Sequence, residues 1–463
     1  MDETLVDDKI SDDASIKSGL ARLTSIMHLT RPRGGSMTSE IEYISPAVSQ
    51  SQGPAKFIRT KLSNRGKNQR DFGQLRFVQQ LDIPAEETGS SAPTDLPIWT
   101  MTANHTGQYV AAAGAAKTIW VWSILYSHEG ESGNGPIFSA EPIRVFTGHT
   151  DEIQSLSWSS NNFLVSASLD KSVRLWHVDR PNCLAVFNHP DVVTSVAFHP
   201  TDSRFFLSAC FDKTVRLWSI PERSVTYRYE GPSRGSSVAF DPSGKVTFGG
   251  FFTGEIVILA TSTFKFEKKL QVGNNGVFTG SLRITSIQPF IDDDDAEPKL
   301  KLLTTSTGGR IRIYDFQTLE MEVKYRGAVL EYSQAMASLS PDKRWVISPS
   351  ENKKVYIWPR IDPGFAFLNS AKQNLAFEYF QNSRSVTTCA IFVPQEMKNL
   401  LGYAGDIILT SDAHGVVRVY HNAEHVEVHE SHGRASSIAQ AFMQRFGDVK
   451  PNKSPCESVF SST

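Results

Sequence analysis

Residues 166–179 read SASLDKSVRLWHVD, and 42 positions later residues 208–221 read SACFDKTVRLWSIP. Each copy alternates apolar and polar residues, breaks at an Asp-Lys turn and alternates again, the pattern of two short antiparallel strands. One copy fits any β protein. A repeat at fixed spacing constrains the chain far more, because a small unit cannot bury its apolar face without a neighbour. Trp176 and Trp218 supply a register in which weaker copies can be sought.

The same slot recurs at Trp122 in KTIWVW, Leu259 in GEIVIL, Tyr314 in RIRIYD, Trp358 in KKVYIW and Tyr420 in VVRVY. The shorter intervals, 41, 42 and 44 residues, match the period of about 40–45 expected of a four-stranded propeller blade. The longer ones contain insertions, at 126–141, at 271–281 with the IDDDDAEPK loop, and at 360–383. Upstream of each anchor lies a further strand: PIWTMTANHTG, EIQSLSWS, VVTSVAFHP, SSVAFDPSG, ITSIQPF, AMASLSPDK and VTTCAIFVP. Several of these end in the Pro/Asp/Ser/Gly turn chemistry that joins antiparallel strands. Seven anchors and seven leading strands predict an all-β fold, a single seven-bladed propeller.

A ring of sheets cannot leave its last blade open, because exposed edges invite aggregation. The strand-like segment LRFVQQLDI at 75–83 precedes the first unit and is expected to complete the seventh blade after VVRVYHNA; HVEVHES at 425–431 competes for that place. The expected organisation is therefore a tail over 1–55, a basic lead-in over 56–74, the propeller over 75–432 and a second tail over 433–463. Both tails are Ser-rich and poor in apolar residues, which predicts disorder. Within the first, Ile16, Leu20, Leu23 and Met27 follow helical spacing and predict a transient helix over 15–29.

In the second unit His149, Ser166 or Ser168, Asp170 and Trp176 bring together an imidazole, a hydroxyl, a carboxylate and an indole N–H. These groups can form one hydrogen-bonded chain from the inter-blade loop to the hairpin turn, stabilising when every member is satisfied. The third unit repeats the set as His189, Ser208, Asp212 and Trp218. The Asp position is Ala116, Thr253, Gly308, Asn352 and His414 elsewhere, so those blades are expected to rely on packing. Ser, His and Asp without a nucleophile elbow do not suggest catalysis, and the chain shows no phosphate-binding Gly loop, H-E-x-x-H or kinase motif. No catalytic residue, cofactor or metal ligand is expected. His421, His425, His429 and His432 lie among acids near the C-terminus, but a polar surface strand explains them more simply. Asp292 to Asp295 read as a solvated acidic loop.

Gly148-His149, the two D-K-S/T-V-R-L-W segments and the 42-residue phase resemble the WD-repeat β-propeller family. The run from LSWSSNNF to RLWSIP, the segment RIRIYDFQTLEMEVKYRG and the lead-in FIRTKLSNRGKNQRDFGQLRFVQQL are similar to a narrower group, WD repeat-containing protein 44 and its relatives. The similarity runs over about residues 56–425 and is strongest at 145–225. It implies a non-catalytic interaction scaffold or adaptor, binding other proteins and, as in those relatives, a Rab GTPase of vesicle recycling. In that group Rab binding is attributed largely to sequence near or before the propeller, of which this chain has little. A substrate receptor of a cullin-type ubiquitin ligase is the alternative. Its usual W-D-x-R mark is displaced here to WHVDR and WSIPER.

The remaining features fit that reading. A net charge of −2 gives no global pull towards nucleic acid or membrane. Cys183, Cys210, Cys389 and Cys456 are far apart and form no C-x-x-C pair, as expected of free thiols in the cytoplasm. No apolar run reaches the about 18–20 residues that cross a bilayer. The lead-in residues Lys56, Arg59, Lys61, Arg65, Lys67 and Arg70 suit peripheral contact with anionic endosomal or vesicle lipid. Sparse aromatics beside them argue against single-stranded nucleic acid. The residues leading into the seven innermost strands, Asp95, Asp151, Asp191, Arg234, Arg283, Tyr332 and Arg384, should ring one mouth of the channel as a partner face, acidic on one side and basic on the other.

Overall fold

The computed structural model describes residues 57–63, 70–81, 83, 96–125, 135–273, 282–293, 297–331, 334–360 and 373–423. The segment before the first blade contributes β1 (Lys61–Leu62) and β2 (Leu75–Leu81). Blade 1 is β3 (Ile98–Ala103), β4 (Tyr109–Gly114), β5 (Ile119–Ser123) and β6 (Arg144–Phe146). Blade 2 is β7 (Ile153–Trp158), β8 (Phe163–Ser168), β9 (Ser172–His177) and β10 (Arg180–Asn188). Blade 3 follows as β11 (Val193–Phe198), β12 (Phe205–Cys210), β13 (Thr214–Ser219) and β14 (Ser224–Glu230). Blade 4 is β15 (Gly235–Phe240), β16 (Val246–Phe251), β17 (Glu255–Ala260) and β18 (Lys265–Gln271). Blade 5 holds β19 (Ile284–Asp292), β20 (Lys299–Ser306), β21 (Arg310–Asp315) and β22 (Met321–Tyr325). Blade 6 is built on β23 (Ser338–Leu339), β24 (Trp345–Pro349) and β25 (Lys354–Pro359). It is followed by β26 (Gln373–Asn374) and β27 (Glu378–Gln381). Blade 7 holds β28 (Thr387–Phe392), the one helix among the described residues, α1 (Gln395–Leu401), then β29 (Asp406–Asp412) and β30 (Val417–Asn422).

Each blade is an antiparallel meander whose first strand is innermost. The hairpin before each anchor residue shares one backbone device. Five positions upstream of the anchor, φ is positive in all seven blades: Lys117, Lys171, Lys213 and Lys353 in four, Gly254, Gly309 and Gly415 in three. The left-handed conformation closes a tight turn between strands of matching twist, so this position is common to strong and degenerate copies alike.

Seven apolar clusters fill the seams between neighbouring blades. The seam of blades 1 and 2, for example, gathers Ile119, Val121, Phe146, Ile153, Leu164 and Trp176. Side-chain hydroxyls lock the inner strands. Ser155 and Ser157 of β7 accept from Val196 N and Phe198 N of β11 at 3.2 and 2.9 Å, and Ser195 accepts from Val238 N at 3.2 Å. Across the channel, Gln334 Nε2 donates to Gln154 Oε1 at 2.6 Å, tying blade 6 to blade 2.

The ring closes through β2, which pairs antiparallel with β30 from Leu75–Asn422 to Leu81–Val417. The segment before blade 1 and the last described strand thus share blade 7, in the place expected for 75–83. Two further strands are additions that the repeat does not announce. β1 pairs with β27 as a fifth strand of blade 6, and β26 lies parallel to β22 as a fifth strand of blade 5. The lead-in is therefore partly built into the ring. Lys61 lies in β1 and Arg59 just before it, both exposed, and Arg70 lies exposed just before Asp71 and Phe72. Lys56, Arg65 and Lys67, the helix expected over 15–29, the competing strand at 425–431 and the two tails lie outside the described residues.

Candidate functional site

The seam between blades 1 and 2 carries a hydrogen-bonded chain. His149 follows β6 through Gly148, whose φ of 140° suits glycine. His149 Nδ1 meets Asp170 Oδ2 at 2.7 Å, His149 Nε2 meets Ser166 Oγ at 2.7 Å, and Trp176 Nε1 donates to Ser166 Oγ at 2.9 Å. The hydroxyl in the chain is Ser166. Ser168, on the same face but at the end of β8 where the turn begins, instead donates to Asp151 O at 2.9 Å and accepts from Asp170 N at 3.1 Å. Burial alone would raise the Asp170 carboxyl. Hydrogen bonds from His149 and Ser172 outweigh it and hold the group well below the usual carboxylate range.

Blade 3 departs from its expected set. Ser208 Oγ bridges His189 Nε2 at 2.9 Å and Trp218 Nε1 at 3.0 Å, but His189 Nδ1 faces Phe187 O at 3.0 Å, not Asp212. The cause is spacing. His189 directly follows the long strand β10 and lacks the preceding glycine that swings His149 towards the turn. Asp212 takes Arg216 and Thr214 instead and titrates at about 2: burial opposes this, and those two donors prevail. Burial pushes His189 down to about 4.

The blades expected to rely on packing are not all without polar networks. In blade 7, Asn382 Oδ1 accepts from Thr410 Oγ1 at 2.7 Å and Tyr420 Oη at 2.9 Å, an amide–hydroxyl–phenol version of the blade 2 chain. Asp412, two residues before His414, binds Arg418 at 2.6 Å. In blade 6, Asn352 Nδ2 donates to Tyr356 Oη at 2.8 Å, and Trp358 Nε1 to Arg326 O at 2.9 Å. A second correction concerns the acidic run. Asp292 is not in a solvated loop; it ends β19, is 2% exposed, and accepts from Arg360 Nη1 at 2.7 Å and Lys301 Nζ at 2.8 Å. That pairing bolts blade 5 to blade 6. Asp293 is its exposed neighbour, paired with Lys343 at 2.5 Å, and Asp294 and Asp295 lie outside the described residues.

The innermost strands all run the same way, so the residues leading into them occupy equivalent places at one end of the ring, here called the upper mouth. Asp151 accepts from Glu152 N at 2.9 Å. Asp191 lies 3.7 Å from Lys171 Nζ. Arg234 sits over the Phe211 ring at 5.5 Å and Arg283 over the Phe252 ring at 5.5 Å, while the two rings meet edge to face at 5.3 Å. Guanidinium and aromatic groups therefore alternate along blades 3 to 5, each half-buried. Burial lowers Arg283 to about 10. The two phenylalanines, each just after a second strand, were not singled out by the repeat pattern. Arg384 is exposed before β28. Asp95 and Tyr332 lie outside the described residues. Glu152 beside Asp151 is raised by burial, while accepting from Trp99 Nε1 at 2.8 Å.

Among the described residues no group of three or more His, Cys, Asp or Glu side chains converges as metal ligands. His421 is held by Ala404 O at 2.8 Å and Arg76 Nη2 at 3.0 Å; His425, His429 and His432 lie outside the described residues. Burial raises the Cys210 and Cys389 thiols to about 11. No helix among the described residues is long and apolar enough to cross a membrane.

A closed ring of seven sheets, five of four strands and two of five, with hydrogen-bonded seams defines the class: a seven-bladed β-propeller. The model of the WD domain, G-beta repeat, matches residues 140–177 and 181–219. WD repeat-containing protein 44 of Xenopus laevis is 33% identical over 391 residues, which cover 74% of this chain and 41% of that protein. An uncharacterized WD repeat-containing protein of Schizosaccharomyces pombe is 29% identical over 318 residues, 64% of this chain and 54% of that one. The 2-deoxy-glucose resistant protein 2 of Saccharomyces cerevisiae is 34% identical over 197 residues, 39% of this chain and 23% of that one. The chain belongs to the WD-repeat β-propeller family. It spans 41% of the first of these relatives and 54% of the second.

Proposed function

We propose that this propeller is a non-catalytic adaptor that binds a protein partner at its upper mouth, and that the partner is a Rab GTPase of endosomal or vesicle traffic. The observation that carries the surface is its charge division. Asp151 and Asp191 lead blades 2 and 3, whereas Arg234 and Arg283 lead blades 4 and 5 and stand against Phe211 and Phe252. Aromatic and arginine side chains are the groups that anchor protein interfaces, and opposed charges fix a partner's orientation and raise its on-rate. The similarity to WD repeat-containing protein 44 supports the choice of partner class.

The test is capture of purified Rab proteins, loaded with GTP or GDP, on the full chain and on two variants, R234E/R283E and D151K/D191K. GTP-dependent capture that both charge reversals weaken by at least about tenfold, the effect of one lost charged contact, is the expected result. Capture of cullin-ligase subunits with no GTPase would replace the Rab reading by the ligase one. Equal capture by wild type and both variants would remove the upper mouth from the interface.

A further inference from the structure

One position of the repeat carries an arginine in four blades, two residues before the anchor: Arg174, Arg216, Arg312 and Arg418. Blades 3 and 7 show how such a cation is satisfied. Arg216 pairs with Asp212 and Arg418 with Asp412, each carboxylate standing in the hairpin turn just before. In blade 5 the turn reads Thr307-Gly308-Gly309 and has no carboxylate, yet Arg312 remains and is 1% exposed.

Blade 5 adds cations where the others supply an acid. Arg312 on β21 stands directly opposite Lys324 on β22, which is 8% exposed. Arg310 lies on the same face of β21, and Arg326 follows the end of β22 beside it. Like charges in directly opposed strand positions repel. Among the described residues none of the four forms an ion pair, and the charges acting on Lys324 are Arg326, Arg312 and Arg310 alone. Among the described residues Arg312 Nε has no hydrogen-bond partner, and its one side-chain hydrogen bond runs from Nη1 to Tyr314 Oη at 3.4 Å. Among the described residues the other buried lysine and arginine side chains, Arg216, Lys301 and Arg360, each meet a carboxylate. The burial is graded: Arg326 is exposed, Arg310 half-buried, Lys324 and Arg312 buried. Such an arrangement is a cationic slot that no carboxylate answers among the described residues.

We propose that this slot in blade 5 is an anion site for a phosphate monoester, held by Arg310, Arg312, Lys324 and Arg326. A phosphate monoester fits better than a carboxylate because it brings close to two charges and three strong acceptor oxygens. Guanidinium forks match its oxygens in pairs. Burial and the three arginines lower Lys324 to about 8, the shift expected where cations are gathered without their counter-charge. The inference is independent of the GTPase reading, since the slot lies between two strands of one blade and not among the residues leading into the inner strands.

The experiment is thermal unfolding and calorimetric titration of the full chain with inorganic phosphate, against sodium chloride at equal ionic strength. Saturable binding and a rising Tm with phosphate, absent with chloride, are expected. K324M relieves repulsion, so its Tm without phosphate should equal or exceed that of wild type while the phosphate-dependent rise disappears. R310Q/R326Q changes only the rim, keeps the fold, and should bind phosphate at least about tenfold more weakly, the loss of one charge-assisted contact or more. Vesicles containing a phosphatidylinositol monophosphate, compared with phosphatidylserine vesicles of matched charge, distinguish a lipid headgroup from a soluble phosphate. Preference for the former assigns the lipid source; no preference together with phosphate binding assigns the soluble one. Wild type responding to phosphate no more than to chloride, or both variants responding like wild type, would overturn the proposal.

Discussion

Phe72→Ala tests how the ring is fastened. Phe72 stands just before β2, is 1% exposed, and packs edge-on against Trp345 of blade 6 at 5.1 Å and near Phe392 of blade 7 at 6.3 Å. Around it lie Ile347, Ile357 and Phe380 on one side, Ala390, Ile408 and Tyr420 on the other. Its backbone is held as well: Asp71 N and Phe72 N donate to the two oxygens of the buried Glu378 at 2.8 and 3.3 Å. Truncating a fully buried phenylalanine removes its transfer energy and leaves a cavity, a loss of about 3–5 kcal/mol. That is a large part of the about 5–15 kcal/mol that holds a typical domain folded. Removing the strap altogether, by deleting residues 1–83, also strips Leu75 and Leu81 from the core and leaves β30 as an open edge. The expected result is loss of cooperative urea unfolding, followed by tryptophan fluorescence, for the deletion, and a lowered midpoint with unchanged slope for Phe72→Ala. Deleting 1–55 alone should change neither. A loss below about 1 kcal/mol for Phe72→Ala, or a cooperative transition surviving the 1–83 deletion, would refute the fastening argument.

Ser208→Ala leaves His189 Nε2 and Trp218 Nε1 without a partner, each at about 1–3 kcal/mol, and urea midpoints should fall accordingly. His189 gives a pH dependence of known sign. Its folded pKa, about 4, lies below the ordinary 6.5, so the unfolded chain takes up the proton first. Stability should hold above pH 6.5 and fall as pH drops from there towards 4, by up to about 3 kcal/mol, a fall that His189→Gln flattens in urea titrations at successive pH values. Asp292→Asn breaks a buried pairing with Arg360 and Lys301 and should cost about 3–5 kcal/mol by the same measurement.

The ring was legible because its periodic signal is carried by backbone geometry as well as by side chains. The anchor slot, the left-handed turn residue five positions before it and the alternating inner strand survive even where Trp has become Leu259 and Asp has become Thr253. β2 could be anticipated because its alternation had no other partner. β1 and β26 could not, since two residues carry no periodicity and their pairing is decided by where the returning chain happens to run. The polar seams were legible as composition but not as wiring. Ser166 and Ser168 differ by which neighbours they meet, and Asp212 differs from Asp170 because His189 lacks the glycine that precedes His149. Asp292 looked like the start of a loop because three further acids follow it; only the position of Arg360, 68 residues away, shows it as a buried seam. The Phe211 and Phe252 platform under Arg234 and Arg283 left no sequence signal beyond two ordinary apolar residues at turns.

Blades 2 and 3 have the same turn sequence, Asp-Lys-Ser/Thr-Val-Arg, and use it differently, which makes their difference testable. In blade 3 Asp212 pairs with Arg216, four residues on, and His189 stands apart. In blade 2 Asp170 is taken by His149, and Arg174, also four residues on, has a buried Nε with no partner. The carboxylate is a single resource for which imidazole and guanidinium compete, and Gly148 decides the contest by delivering His149 to it. Removing His149 should therefore let Arg174 turn onto Asp170 and recover part of the loss, as the blade 3 arrangement already demonstrates. The loss in His149→Ala combined with Arg174→Met should then exceed the sum of the two single losses. A coupling of about 0.5–3 kcal/mol is the size found for side chains in one network. Urea denaturation of the four proteins of that cycle measures it. Additive losses would mean that Arg174 cannot reach Asp170, and that the two blades differ in backbone position and not merely in which donor arrives first.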